Sequence, residues 1–122
     1  MPTKQKKILI AEDEKPMARA LKLKLTHEGF DTTAVFDGQS ALDLLKKEKF
    51  DLVILDLVMP RVDGFQVLEK MKSEKINVPT IVTSNLSQIE DEERVRSLGA
   101  KDFFVKSHIS IADVVTHVKA II

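Results

Sequence analysis

The sequence predicts an α/β protein, a (βα)5 doubly wound parallel sheet, on three observations. Five short apolar runs of β-branched character alternate with five segments of helical spacing. The first, third and fourth runs lack polar alternation, as strands covered on both faces do. The connections are short, with no linker, internal repeat or low-complexity segment, so one layer pattern accounts for the chain.

The strands are KILIA (7–11), TTAVF (32–36), DLVIL (51–55), PTIVTS (79–84) and DFFV (102–105). In the first helix Met17, Leu21 and Leu25 recur every four residues, Pro16 fits the first turn, and Gly29 marks the end. Ala41, Leu42 and Leu45 predict a second helix over 38–48, and Phe65, Leu68 and Met71 a third over 64–74. The fourth opens on a capping box, Ser87 to Glu90. Its acids come first and its arginines, Arg94 and Arg96, last, in keeping with the helix dipole, and Gly99 closes it. Ser110 caps the fifth, with Asp113 three residues on. Ile111, Val114, Val115, Val118 and Ile122 then form an apolar stripe that reads as core.

The chain of 122 residues suits one domain, 1–122, with residues 1–6 a basic tail before the first strand. No output domain is expected within it, so it either acts alone by docking or is a piece of a longer chain. Zero net charge argues against direct nucleic-acid binding. The absence of cysteine excludes disulfides, thiol catalysis and cysteine-held zinc, and fits a reducing cytoplasm. No apolar run reaches the ~20 residues of a membrane span, and Lys4, Lys6 and Lys7 precede too short a stretch for a secretory signal.

In VILDLVMPRVDGF (53–65) a carboxylate, Asp56, follows a fully apolar strand. Such a charge costs several kcal/mol unless something compensates it. In doubly wound sheets, ligands bind beyond the carboxyl ends of the strands. Glu12 and Asp13 follow strand one, Asp56 follows strand three, Ser84 ends strand four and Lys106 follows strand five, so all five meet at that edge. Crowded carboxylates repel, and a divalent cation reverses the repulsion. Oxygen donors without His or Cys suit Mg²⁺. Lys106 and the Ser84 hydroxyl then serve as donors to an anion beside the metal, which describes a phosphoryl-group site. Asp56, ionised, needs no general base to accept a phosphoryl group.

Other features have plainer readings. Glu12 and Asp13 could cap the first helix. Asp63 sets a turn with Gly64, Pro60 shapes the same loop, and Met59 packs in it. His27, His108 and His117 are not grouped at metal-ligand spacing. The glycines at 29, 38, 64 and 99 read as turns or caps, with no Gly-rich phosphate loop.

The acidic pair in ILIAEDE, the acid in VILDLVMP followed by DG, the hydroxyl in IVTS, Leu98-Gly-Ala100 and the lysine in FFVK stand in one order and spacing. From Lys7 to Ile122 the chain closely resembles the receiver domain of bacterial two-component response regulators. The resemblance implies the flavodoxin-like strand order 2-1-3-4-5. It implies that Asp56 accepts phosphate from a phosphohistidine on a sensor histidine kinase or phosphotransfer protein. Asp13, Asp56 and the Val58 backbone carbonyl would bind Mg²⁺, with Glu12 acting through a metal-bound water. Lys106 would contact the phosphoryl oxygen, Ser84 would rotate toward it, and Phe103 would turn inward behind. The surface of the fourth helix, fifth strand and fifth helix would then change its preference for an effector, or for a second copy in a phosphorylation-dependent homodimer. It would catalyse nothing beyond its own phosphorylation and dephosphorylation.

The chain departs from the commonest pattern at several positions. Ser107 follows Lys106 where proline is usual with a cis bond; a cis bond costs roughly 3–4 kcal/mol before a non-proline residue, which leaves cis or trans, and the reach of Lys106, open. Asn85 stands where a small residue is usual, Ser84 replaces threonine, and Phe103 lacks a tyrosine hydroxyl. Val58 and Leu86, both apolar, flank the expected site and should hinder water. Two other functions compete. A degenerate receiver would bind partners without phosphorylation, and the Lys106-Ser107 junction and Asn85 favour it. A metal-dependent aspartyl phosphatase would want a second acid two residues after the nucleophile, where Val58 stands.

Overall fold

A computed structural model describes residues 5–85 and 89–122. Its strands are β1 (Lys7–Ala11), β2 (Asp31–Val35), β3 (Leu52–Leu55), β4 (Thr80–Ser84) and β5 (Asp102–Val105). They pair in parallel in the order β2-β1-β3-β4-β5, as expected. The helices are α1 (Lys15–His27), α2 (Gly38–Lys47), α3 (Gly64–Ser73), α4 (Ile89–Ser97) and α5 (Ile111–Ile121), with a 3-10 turn at Lys106–His108.

Strand side chains alternate between faces, and this alternation divides the core in two. Leu9, Val53, Leu55 and Val82 point to one side, where Leu42, Val67, Leu68 and Val95 of α2, α3 and α4 cover them. Ile8, Ile10, Leu52, Ile54 and Ile81 point to the other, under Leu21 and Leu25 of α1 and Val114, Val115 and Val118 of α5. The apolar stripe of the fifth helix is therefore core, as its spacing predicts. No helix among the described residues is long and apolar enough to cross a membrane.

Most boundaries fall where the sequence places them, and the exceptions have local causes. β2 ends at Val35, whose register partner Ala11 is the last residue of β1. Phe36, expected in the strand, is half-exposed, and Asp37 already caps α2 by accepting from the Ser40 N–H at 2.8 Å. Lys7 opens β1, as the 7–11 strand predicts; its N–H donates to Asp51, and its ammonium pairs with Glu48 at 2.6 Å. Ser110 and Asp113 form the expected reciprocal cap of α5. Asp63 does more than set a turn, because with Gln66 it forms a capping box on α3. The Ser87 cap expected for the fourth helix lies outside the described residues. In α4 the acids Glu90, Asp91 and Glu92 lead and Arg94 and Arg96 follow, as expected.

Candidate functional site

The register of the sheet assembles the site. Ala11 pairs with Leu55, so Glu12 and Asp56 are the next residues beyond the ends of adjacent strands. The Asp56 N–H donates to the Ala11 carbonyl at 2.9 Å and the Glu12 N–H to the Val35 carbonyl at 3.0 Å, which fixes both backbones. Ser84 pairs with Val105, so Lys106 emerges one residue beyond.

Carboxylate oxygens of Glu12, Asp13 and Asp56 lie within 4.8 Å of one another. Glu12 and Asp56 are buried, at 1% and 3% exposure, and Asp13 is exposed. The Lys106 ammonium lies 2.7 Å from Glu12 Oε1, 2.6 Å from Glu14 Oε2 and 3.2 Å from Asp56 Oδ2. Asp56 Oδ1 also accepts from the Val58 N–H at 3.3 Å. A cleft of about 150 Å³ opens here, lined by Asp13, Glu14, Asp56, Val58, Asn85 and Lys106. A roomier groove of about 450 Å³ lies at the opposite edge of the sheet, between α3 and α4, floored by Leu68, Met71 and Val78. It contains no carboxylate, so size does not identify the reactive site.

Three carboxylates therefore share one ammonium, and a fourth, Asp13, stands beside two of them. Burial and the neighbouring Glu12 charge push the Asp56 carboxyl up from its usual 3.8 to about 8, and Lys106 offsets only part of this. Burial alone would lower the Lys106 ammonium. Its hydrogen bonds to Glu12 and Glu14 and the Asp56 charge outweigh that and raise it above its usual 10.5. Such a set is short of positive charge. Its donors are hard oxygens, with no nitrogen or sulfur among them, and part of the set is open to the cleft. That chemistry fits Mg²⁺, which binds through few carboxylates and retains waters.

The other expected site residues are arranged differently. Ser84 is fully buried at the end of β4, beside exposed Asn85. Phe103 does not line the cleft. It already lies inward, 9% exposed, in the core cluster with Leu55 and Val82. Val58 is 56% exposed at the cleft mouth, and Leu86 lies outside the described residues. All described peptide bonds are trans, including Lys106–Ser107. The 3-10 turn replaces the usual proline junction there, and Lys106 still reaches Asp56. Glu14, which sequence reasoning passed over, holds Lys106 as closely as Glu12 does. It is the third acid of the AEDE run, and its readable signal was adjacency to Asp13.

Gly38 and Gly64 open the second and third helices at the predicted starts, and both stand where no Cβ fits. A Cβ on Gly64 would stand 2.4 Å from the Asp56 carbonyl oxygen and 2.7 Å from Leu57 Cα, and one on Gly38 1.9 Å from the Val62 carbonyl oxygen. The loop after Asp56 folds back tightly, and the Gly64 N–H donates to the Leu57 carbonyl at 2.9 Å. Gly64→Ala is expected to destabilise the protein by about 1–3 kcal/mol by backbone overpacking. It should also slow any reaction at Asp56, since the displaced atoms are Asp56's own. Urea unfolding and a rate measurement check both.

A profile of the family described as response regulator receiver domain matches residues 8–119. The chain belongs to this family. The receiver domain is 38% identical over 102 residues to the probable transcriptional regulator ycf27 of Porphyridium aerugineum, covering 84% of this chain and 42% of that protein. It is 35% identical over 115 residues to response regulator ArlR of Staphylococcus aureus, covering 94% of this chain and 52% of that one. The chain thus spans about half the length of the curated relatives it matches. Among solved structures, the receiver domain of Francisella response regulator 1452 superposes with a TM-score of 0.91 at 32% identity, covering 96% of both chains. The response regulator TrrA of Thermotoga maritima, solved in complex with Mg²⁺-BeF, superposes with a TM-score of 0.85 at 27% identity, covering 97% of this chain and all of that one. The acidic cluster at the strand edge is typical of the receiver phosphorylation site.

Proposed function

We propose that Asp56 accepts a phosphoryl group from a phosphohistidine of a sensor histidine kinase or phosphotransfer protein, with Mg²⁺ held by Asp13, Asp56 and the Val58 carbonyl and, through water, by Glu12. One observation carries the reading: three carboxylates within 4.8 Å of one another, with an ammonium 3.2 Å from Asp56. An Asp56 carboxylate oxygen forms the new P–O bond. The P–N bond of the donor breaks, and its electron pair returns to the imidazole. Mg²⁺, when bound, supplies the positive charge that lets the carboxylates stay ionised. Lys106 donates to a phosphoryl oxygen and neutralises charge that builds there. The Val58 N–H orients the acceptor, and the apolar walls of Leu55 and Leu57 keep it from water on the core side.

Phosphorylation then stabilises contacts that only one packing offers, through Ser84 and Phe103, and biases the α4–β5–α5 surface toward its effector or a second copy. Within its limited contact with the core, α4 is suited to move, since Val95 is its one fully buried side chain among the described residues. The domain works in the cytoplasm and catalyses only its own modification and its reversal.

Incubation with phosphoramidate and Mg²⁺, followed by intact mass, tests acceptance. Sustained phosphomonoester turnover would favour a phosphatase instead, and absence of both modification and metal binding would favour a degenerate receiver. Val58→Asn combined with Leu86→Glu is expected to shorten the phosphate half-life several-fold by admitting and orienting water, read as mass decay after donor removal. An unchanged half-life would refute the shielding role.

A further inference from the structure

We propose that Glu14 is a positioning residue, a latch that holds Lys106 away from the phosphoryl group and is displaced when Asp56 is modified. The inference rests on Asp56 being the acceptor. An ammonium has three N–H donors. Here Glu12 Oε2 at 2.8 Å and Glu14 Oε2 at 2.6 Å take two, and Asp56 Oδ2 stands 3.2 Å away to compete for the third. Esterification removes the Asp56 carboxylate from this competition, and the phosphoryl group presents several acceptor oxygens in its place, so it can take a second Lys106 donor only if Glu12 or Glu14 gives one up.

Exposure decides which one leaves. The Glu12 side chain is 1% exposed, so abandoning it strands a buried charge. The Glu14 side chain is 52% exposed and returns to water at little cost. Glu14 has no competing duty that would hold it in place. It stands at the N-cap of α1 yet makes no side-chain cap bond, and its N–H donates to Glu12 Oε2 through the main chain, which substitution retains. Lys106 therefore rests on a buried partner it keeps and an exposed partner it trades. The exchange is bond for bond: the Lys106–Glu14 hydrogen bond breaks, the Lys106–phosphoryl bond forms, and no proton moves.

The test is a double-mutant cycle of wild type, Glu14→Ala, Lys106→Ala and the pair, each with phosphoramidate and Mg²⁺ and read by intact mass. The latch predicts that Glu14→Ala phosphorylates about three- to fivefold faster, the factor that corresponds to releasing one exposed ion pair. It predicts no gain from Glu14→Ala in the Lys106→Ala background. The same fold-gain in that background would mean simple repulsion of an anionic donor and would overturn the latch, as would a Glu14→Ala rate no greater than wild type. Unfolding midpoints of the four metal-free proteins give a second reading that needs no phosphorylation. Non-additive shifts support the contact, and additive shifts overturn it. Should wild type itself take no phosphate, the function proposed above fails, and the unfolding cycle still decides whether Glu14 and Lys106 are coupled.

Discussion

Lys106→Ala is expected to lower the stability of the metal-free receiver domain by about 3–5 kcal/mol, the cost of removing one partner from a buried ion pair. The Lys106 side chain is 8% exposed, and its ammonium is the cation that Glu12 and Asp56 share. Without it, Glu12 and Asp56 face each other with Asp13 beside them and no compensating charge. A loss of this size is a large fraction of the 5–15 kcal/mol typical of a domain. Millimolar Mg²⁺ should recover much of it, because a cation among the same oxygens replaces the missing charge and binds only the folded chain. Urea unfolding with and without Mg²⁺ measures both effects. A loss below about 1 kcal/mol, as for an exposed pair, would mean that the contacts carry little energy.

Asp56→Asn should act in the opposite direction. Burial and the Glu12 charge raise the folded-state value of Asp56 to about 8 from its usual 3.8. Because the folded value lies above the unfolded one, the contribution from this group is fully present below about pH 4. It is lost as pH rises through about 8. Asparagine removes the ionisation. The metal-free variant should nearly match wild type around pH 4 and exceed it by about 5 kcal/mol at pH 8. At this chain length that corresponds to a rise of roughly 20 °C in Tm. The quantity to follow is the difference between the two proteins across pH, which cancels the other titrating groups. A difference that does not change with pH would show that Asp56 is not under this strain. Mg²⁺ should shrink the gap, since only wild type gains from it.

The fold was legible because strand and helix periods differ and the loops are short. Runs such as VIL at 53–55 have no polar face, and that alone sets a parallel sheet with helices on both sides. The acids and Lys106 were legible because each follows a strand, and the topology carries strand ends to one edge. Less legible were features that depend on side-chain direction or on close approach. Glu14 sits at a helix start where acids are common, and nothing in its spacing says that it turns toward a lysine 92 residues away. Gly64 and Gly38 look like turn glycines, and only the folded loop after Asp56 reveals that no Cβ fits. Ser107 in place of proline left the reach of Lys106 open, and the 3-10 turn closes that question at 3.2 Å from Asp56.

The central claim is that a divalent ion among these oxygens makes Asp56 a phosphoryl acceptor. Intact mass after incubation with phosphoramidate tests it most directly. With Mg²⁺, wild type should gain the mass of one phosphoryl group, while Asp56→Asn and metal-stripped wild type gain none. A wild type left unmodified with Mg²⁺ present, or an Asp56→Asn protein that takes the group equally well, would contradict it.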